Sequence, residues 1–317
     1  MPDDAPVTVV AALEGRALRY AEVERPADSA PRLRRLGTCD FDLDPEAAVL
    51  GPDGVEGLDA VSAALREVFR ESAPRTLALV ARPSALVSFF SPLPEGLSAP
   101  ARYAQLQEEA ALLADVPAAQ PVRIRAVPVR SEDMPSGRHR WHHVVHVPEA
   151  VHARVTLLAR SLGAGTYDLL DSTQTAGAVV QALLERGRED DFGPPPRPFA
   201  LAVGSYDDHA EFSLSRAGES GARPTWHFGL HAAGGAPADA AYFVVAMLER
   251  IGVAAEDVGR VFLYGQHAEL SEHDALAAVF ANPPEPLDPM PLFGRRPDGV
   301  PPAALAVFAP CLGAVVR

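Results

Sequence analysis

Two stretches of the chain open with the same hydrophobic pattern. The apolar runs Val7 to Val10 and Ala17 to Val23 flank a polar turn that contains Gly15, and the runs Phe199 to Val203 and Ala210 to Ser215 flank a second polar turn. Short apolar runs separated by a tight polar turn are typical of two strands in a hairpin. The sequence therefore predicts two hairpins, one near the N-terminus and one about two thirds of the way along.

Each predicted hairpin is followed by an amphipathic helix and a buried strand. In the first half these are the helix 58–69 and the strand 76–80, and in the second half the helix 240–251 and the strand 261–264. The second helix is expected to place Tyr242 on its apolar face, together with residues three and four positions apart along it. Repetition of the same order of elements predicts two related α/β lobes.

The segments between these units give less regular patterns. Phe89 to Pro94 is interpreted as the end of the first unit, since its prolines prevent a continuing helix. The stretch Pro283 to Pro302 is expected to be extended and on the surface. The remaining strands are predicted within 33–43 and at 122–129, 141–147 and 225–230, and the remaining helices at 103–113, 151–162, 175–186 and 303–316. A polar, hairpin-like loop is predicted at 131–138 and a linker at 187–197.

Composition limits the possible functions. The chain has 317 residues, 48% of them hydrophobic, which indicates a globular protein long enough for two lobes. The net charge of -14 argues against a nucleic-acid partner, because phosphate binding requires a basic surface. The first residues lack a signal peptide and the apolar runs are too short to span a bilayer, so we expect a cytoplasmic protein without direct membrane insertion. Two distant cysteines, Cys39 and Cys311, exclude a disulfide scaffold or zinc ribbon.

Two groups of polar residues invite a chemical interpretation. Five histidines lie in 139–152, but His142 and His146 on one strand face would be roughly 13 Å apart, too far to share a zinc ion. We therefore interpret this strand as an exposed edge with solvated histidines. Ser205, Asp207 and His209 contain the residue types of a nucleophilic triad, but the glycine-flanked serine of a nucleophile elbow is missing. Turn formation is the better interpretation of this stretch.

The order of these segments resembles the actin-like ATPase superfamily, and most closely its type IV pilus assembly (PilM-like) branch. The matching stretches are the helix 58–69 with the strand and turn 77–94, the helix Tyr103 to Ala114 with Glu108 and Glu109, the strand and helix 144–162 with the alanine-rich helix 176–184, and the terminal stretch 309–314. The resemblance implies an α/β, ribonuclease H-like fold of two lobes with a small inserted α/β subdomain. It divides the chain into a first lobe (1–85, 148–198 and 303–317), the inserted subdomain (86–147) and a second lobe (199–302).

Members of that superfamily bind phosphate and Mg²⁺ between two Asp-x-Gly turns and adenosine against a Gly-Gly turn, and this chain departs from all three motifs. The first stretch has Ala11 in place of the aspartate before Gly15, and the second has Ala202 before Gly204. The third has Gly265 followed by Gln266 and His267. The resemblance implies a degenerate nucleotide site at Ala11, Gly15, Ala202, Gly204, Gly265 and Gln266, without catalytic residues or a metal ligand. We expect no cofactor, with ATP and Mg²⁺ as the alternative if Glu14, Asp207 or Asp208 replaces the lost carboxylates.

The resemblance further implies a scaffold rather than an enzyme. Such a protein would bind the cytoplasmic tail of a PilN-like inner-membrane protein in a groove with walls from roughly Leu86 to Val147, and self-association is left open. The acidic net charge would suit a tail with basic residues beside the membrane. The alternatives are a nucleotide-binding ATPase or kinase of the same superfamily and the cytoplasmic domain of a type II secretion platform protein.

Overall fold

The strands of the protein form three separate sheets. In the computed structural model, the described residues are 6–26, 30–51, 57–114, 122–190, 197–216, 226–230, 237–294 and 300–316, with side chains except at 84, 188–190, 226–230 and 237–239. The strands in these ranges are β1 (Val7–Glu14), β2 (Ala17–Glu24), β3 (Arg32–Asp40), β4 (Thr76–Ala81), β5 (Val87–Pro94), β6 (Arg123–Met134), β7 (Gly137–Val147), β8 (Thr166–Asp171), β9 (Phe199–Ser205), β10 (Ala210–Arg216), β11 (Trp226–Leu230), β12 (Val258–Gly265) and β13 (Glu285–Pro286).

The helices cover the faces of these sheets. In the described ranges they are α1 (Pro45–Leu50), α2 (Leu58–Val68), α3 (Ala99–Leu113), α4 (Glu149–Ser161), α5 (Ser172–Asp190), α6 (Pro237–Ile251), α7 (Asp274–Ala277), α8 (Pro302–Ala306) and α9 (Ala309–Gly313). None of these helices is long and apolar enough to cross a bilayer.

Two of the sheets have the same topology. Their strand orders are β3-β2-β1-β4-β8 and β11-β10-β9-β12-β13. In each sheet the first hairpin is antiparallel, and the two later strands run parallel to the strand that opens the hairpin. We call the first sheet with α1, α2, α4, α8 and α9 the first lobe, and the second sheet with α6 and α7 the second lobe. The predicted repetition of one α/β unit is confirmed.

Both faces of β1 are buried, which explains its nearly continuous apolar sequence. Successive side chains of a strand point to opposite faces, and a sheet covered on both sides needs apolar residues on each. Val9 and Leu13 pack with residues of α1, α2 and α4, whereas Val10 and Ala12 pack with residues of α8 and α9. Helix α5 links the lobes, since it contacts both α9 and the strands β9 and β10.

The third sheet, with order β5-β7-β6, forms a subdomain with α3 on one of its faces. The polar stretch 131–138 forms the hairpin predicted for it, with most of its residues in the paired strands β6 and β7 and only residues 135 and 136 unpaired at the turn. One prediction was wrong here. Residues 89–94 do not end the preceding unit but lie in β5, an edge strand where Pro92 and Pro94 are tolerated.

The histidine-rich strand was also predicted wrongly. Because β5 pairs with β7 on the side away from β6, β7 is the central strand of the sheet rather than an exposed edge. His142, His143 and His146 are therefore buried, and burial lowers the pKa of each of them, that of His143 to about 4.

Four further differences come from packing that local patterns do not record. Tyr242 is exposed, because α6 buries Ala241, Val244 and Leu248 instead. The stretch 283–302 is not simply a surface segment, since it contains β13 and buries Met290 among other residues. The predicted terminal helix is two short helices, α8 and α9. The linker 187–197 has its first part, up to residue 190, in α5, and residues 191–196 lie outside the described residues.

Candidate functional site

A cleft of about 500 Å³ lies between the two lobes at the ends of β1 and β9. Two turns face each other across it: Gly15-Arg16 between β1 and β2, and residues 206–209 between β9 and β10. Gly15 adopts φ of 56°, a left-handed conformation that favours glycine. The cleft is lined by Glu14, Gly15, Arg16, Ala17, Asp40, Phe41, Arg82, Tyr206, Asp207, Asp208, His209 and Gln266.

The structure brings only part of the predicted site residues to this cleft. Gly15 and Gln266 line it. Ala11 and Ala202 are fully buried inside β1 and β9, several residues before the turns. They fill the layer between sheet and helices, where an ionised aspartate would lie in an apolar environment.

The two remaining predicted glycines lie behind the cleft, where space is tight. A Cβ atom on Gly204 would lie 2.6 Å from the ring of Tyr264. Gly265, with φ of 90°, lies against the backbone of Ser205, whose carbonyl oxygen would be 2.6 Å from such an atom. Both positions therefore require glycine for the packing of β12 against β9.

Arg82 connects the first lobe to the second across the cleft. It follows β4 directly, and its Nε donates a hydrogen bond to Oε1 of Glu46 on α1 at 2.5 Å. Its Nη1 forms an ion pair with Oδ2 of Asp208 in the turn of the second lobe. The side chain of Arg82 is 17% exposed and that of Glu46 is 5% exposed, so this pair is largely shielded from solvent.

His209 lies between two carboxylates just below the cleft. Its Nδ1 is 2.6 Å from Oδ1 of Asp208, and its Nε2 is 3.1 Å from Oε1 of Glu211. Burial favours the neutral imidazole, but the hydrogen bonds and charges of Glu211 and Asp208 outweigh it, so the pKa of His209 is raised. The ring of Tyr206 stacks on that of His209 with centroids 4.3 Å apart. This arrangement favours an imidazolium ion shared by two carboxylates.

The turn that follows β12 is bonded to the turn that follows β9. Oε1 of Gln266 accepts a hydrogen bond from the backbone N–H of Asp207 at 3.2 Å. Nε2 of His267 lies 2.9 Å from Oδ1 of Asp207, and its Nδ1 lies 3.1 Å from Oε2 of Glu272. The two turns thus hold each other directly.

Glu14, at the end of β1, is the carboxylate of the first turn. Its Oε2 accepts a 2.8 Å hydrogen bond from Nε of Arg19, in the same hairpin. Burial raises the pKa of Glu14 to about 7, and the pairing with Arg19 opposes this only in part. Its other oxygen, Oε1, is buried and has no hydrogen-bond partner among the described residues.

Comparison with known proteins finds similarity in structure and none in sequence. No protein-family model matches the chain, and no curated protein matches it significantly. Among solved structures, the PilM-PilN type IV pilus biogenesis complex contains a chain that matches this one with a TM-score of 0.67 and 16% identity over 97% of both chains. The chain has an actin-like ATPase fold. The fold class predicted from the sequence is therefore confirmed.

Two other solved structures match with lower scores. A Bacteroides thetaiotaomicron protein with actin-like ATPase fold and unknown function has a TM-score of 0.46 and 10% identity, over 87% of this chain and 88% of its own. The cytoplasmic domain of EpsL, an inner membrane component of the Vibrio cholerae type II secretion system, has a TM-score of 0.47 and 13% identity, over 88% and 89%.

The residues of the cleft do not fit a magnesium–nucleotide complex held in the way that the family resemblance implies. Asp207 is bonded to His267, Asp208 to Arg82 and His209, and Glu14 to Arg19. Within the described ranges, no group of three or more His, Cys, Asp or Glu side chains is arranged to hold a metal ion. The bond between Asp207 and Gln266 also joins the turn expected at the phosphates to the turn expected at adenosine.

Three important residues of this region were missed by the sequence reasoning. Arg82 pairs with Asp208 across the cleft, and Tyr206 and Glu211 contact His209 below it. None of the three lies in one of the superfamily motifs. Arg82 did give a signal, because a charged residue directly after a buried parallel strand marks the edge of the sheet where sites form. Glu211 gave none, since a carboxylate within an alternating strand is usually assigned to the solvent face.

Proposed function

We propose that this chain is an actin-like scaffold of a type IV pilus or related secretion assembly platform. It would bind the cytoplasmic tail of a PilN-like inner-membrane protein and would not hydrolyse ATP. One observation carries the proposal: the match to a chain of the PilM-PilN complex extends over 97% of both chains, including the inserted subdomain. The protein would then lie in the cytoplasm and reach the inner membrane through its partner.

The junction of the subdomain with the first lobe is where we place the groove for such a tail. Arg123 of β6 donates a 2.7 Å hydrogen bond to Oε2 of Glu149 on α4, across the junction. Hydrogen bonding to Glu149 and its negative charge raise the pKa of Arg123. Tyr103 lies on α3 of the same subdomain. Tyr103 is 46% exposed and provides an aromatic anchor of the kind that dominates peptide binding.

Side-chain contacts between β6 and β8 attach the subdomain to the first lobe, so that it can form one wall of this groove. Nη1 of Arg125 donates a 2.7 Å hydrogen bond to the carbonyl oxygen of Leu169, and its Nη2 lies 3.6 Å from Asp168. A rigid wall lowers the entropy lost when a flexible tail binds. The net charge of -14 would add long-range attraction for a tail that is basic beside the membrane.

Fluorescence anisotropy with a labelled peptide tests the proposal. The peptide carries the cytoplasmic tail of a PilN-like inner-membrane protein from the same genome, and a scrambled peptide is the control. We expect specific binding that weakens as salt is raised. Tyr103→Ser should weaken it about tenfold, a loss of about 1.4 kcal/mol. Tyr242→Ser, which removes an exposed tyrosine from α6 in the second lobe, should leave it unchanged.

Two results would contradict this function. Equal affinity for the tail and the scrambled peptide would contradict the proposed partner. An equal loss of affinity with Tyr103→Ser and Tyr242→Ser would contradict binding in the groove. The alternative of a nucleotide-binding ATPase or kinase is tested by thermal unfolding with ATP and Mg²⁺, where a rise in Tm of several degrees would favour the enzyme over the scaffold.

A further inference from the structure

Arg82 differs from the other arginine that pairs with a carboxylate of the cleft. Arg19 pairs with Glu14 in its own hairpin, so that pair stays within the first lobe. Arg82 is anchored in the first lobe through Glu46 and pairs with Asp208 of the second lobe. Its guanidinium therefore joins α1 of the first lobe to the β9–β10 turn of the second, and it lines the same cleft as the β1–β2 turn.

The contacts of Arg82 continue through the half-exposed Asp208 to buried polar groups of the second lobe. Asp208 is bonded to His209, and His209 to Glu211. Oε1 of Glu211 also accepts a 2.5 Å hydrogen bond from the hydroxyl group of Ser172, in the first turn of α5. Charge at Arg82 is thus connected through hydrogen bonds to the helix that joins the lobes.

We propose that Arg82 is a resident cation that takes the place of a divalent metal between the two turns and holds the lobes together without a nucleotide. This inference rests on the fold and the cleft and does not depend on the proposed tail-binding function.

The chemistry of the guanidinium suits this role. It stays charged at every physiological pH and presents several donors in one plane, so it can bind Glu46 and Asp208 at once. Because Glu46 holds Nε, the terminal nitrogens point toward the second lobe. A tethered cation is present in every molecule, whereas Mg²⁺ usually needs waters and a phosphate ligand in addition to one or two carboxylates. Partial burial strengthens the ion pair relative to one in water.

The first test removes the charge and measures how firmly the lobes hold together. Arg82→Met should lower Tm by about 5 °C or more and increase hydrogen–deuterium exchange in the turn 206–209. The matched control is Arg260→Met, which breaks an Arg–Glu pair with Glu285 inside the second lobe. That control should lower Tm by less than about 2 °C and leave exchange in the turn unchanged.

The second test asks whether a metal can replace the lost cation. With Arg82→Met, the carboxylate of Asp208 loses its partner from the first lobe while its bond to His209 remains, so millimolar MgCl₂ should raise the Tm of this variant by about 2–4 °C and should not raise that of the natural chain. Adding Asp208→Asn to Arg82→Met should abolish the response to MgCl₂.

The outcomes separate the two parts of the proposal. Exchange in the turn 206–209 that is the same in Arg82→Met and in the natural chain overturns the role in holding the lobes. Faster exchange without a response to MgCl₂ overturns the replacement of a metal. Should Arg82→Met not fold, Asp208→Asn alone removes the charge of the same ion pair from an exposed position and carries the exchange test. Arg82→Lys keeps the charge but not the planar set of donors, so its exchange should lie between those of the natural chain and Asp208→Asn.

Discussion

The hydroxyl group of Tyr264 donates a 2.8 Å hydrogen bond to Oε2 of Glu211 in the core of the second lobe. Both side chains are fully buried. The other oxygen, Oε1, accepts one hydrogen bond from the hydroxyl group of Ser172 and lies 3.1 Å from Nε2 of His209. A carboxylate can occupy this apolar site because both of its oxygens are bonded.

Removing this hydroxyl group should therefore destabilise the protein. Tyr264→Phe leaves Oε2 of Glu211 buried without a donor, and we expect the free energy of unfolding in urea to fall by about 2 kcal/mol. Tyr206→Phe is the control, since it removes a hydroxyl from the neighbouring ring and leaves the bond to Glu211 in place. A loss of equal size in both variants would contradict the assignment of Oε2.

The crossing of α9 and α5 depends on a glycine. A Cβ atom on Gly313 would lie 1.9 Å from the carbonyl oxygen of Thr175, so the two helices approach backbone to backbone. Gly313→Ala should force them apart and lower the free energy of unfolding by about 3 kcal/mol. Gly165→Ala is the control, because its nearest contact would be 3.9 Å away. If the two variants unfold at the same urea concentration, the close crossing is wrong.

Asp171 should make stability depend on pH. Burial raises the pKa of this carboxyl from 3.8 to about 7, although hydrogen bonds from Thr173 and Gln174 lower it in part. A carboxyl whose pKa is higher in the folded than in the unfolded state stabilises the fold at low pH, and that contribution is lost as pH rises toward and through about 7. The natural chain should therefore lose stability over this range relative to a variant that does not titrate there.

Asp171→Asn is that variant, and it keeps an oxygen that can accept the hydrogen bonds at the start of α5. Thermal unfolding is measured from about pH 4 to pH 8. The Tm of the variant minus the Tm of the natural chain should increase as pH rises. Asp168→Asn on the same strand, partly exposed, is the control and should run parallel to the natural chain. A constant difference for Asp171→Asn would contradict a raised pKa.

Local sequence patterns were sufficient to predict the elements with a regular apolar pattern. The hairpins that open each lobe and the helix α2 follow from apolar spacing and turn residues alone. Strand β5 could not be found this way, because Pro92 and Pro94 argue against a strand unless it lies at a sheet edge. Without β5, the histidines of β7 were assigned to solvent, although they lie in the centre of a sheet.

Only part of the predicted nucleotide site lies at the cleft. Gly15 and Gln266 line it, since turns after buried strands meet at one edge of a sheet, and their contact with a nucleotide stays a prediction. The motif alignment also selected Ala11 and Ala202, which lie deeper in β1 and β9. Close packing between the sheet and the helices explains why these two residues are alanines. From the sequence alone, the same alanines can also be interpreted as the loss of a metal-binding aspartate.

The sequence by itself determined the two repeated α/β units and their hairpins, because strand and helix periodicity is recorded within a few neighbouring residues. Only the tertiary structure decided which charged groups meet in the cleft. Arg82 and Asp208 are 126 residues apart in sequence and become partners only when the two lobes pack together. A long-range ion pair leaves no local pattern, because each partner alone is an ordinary charged residue beside a strand.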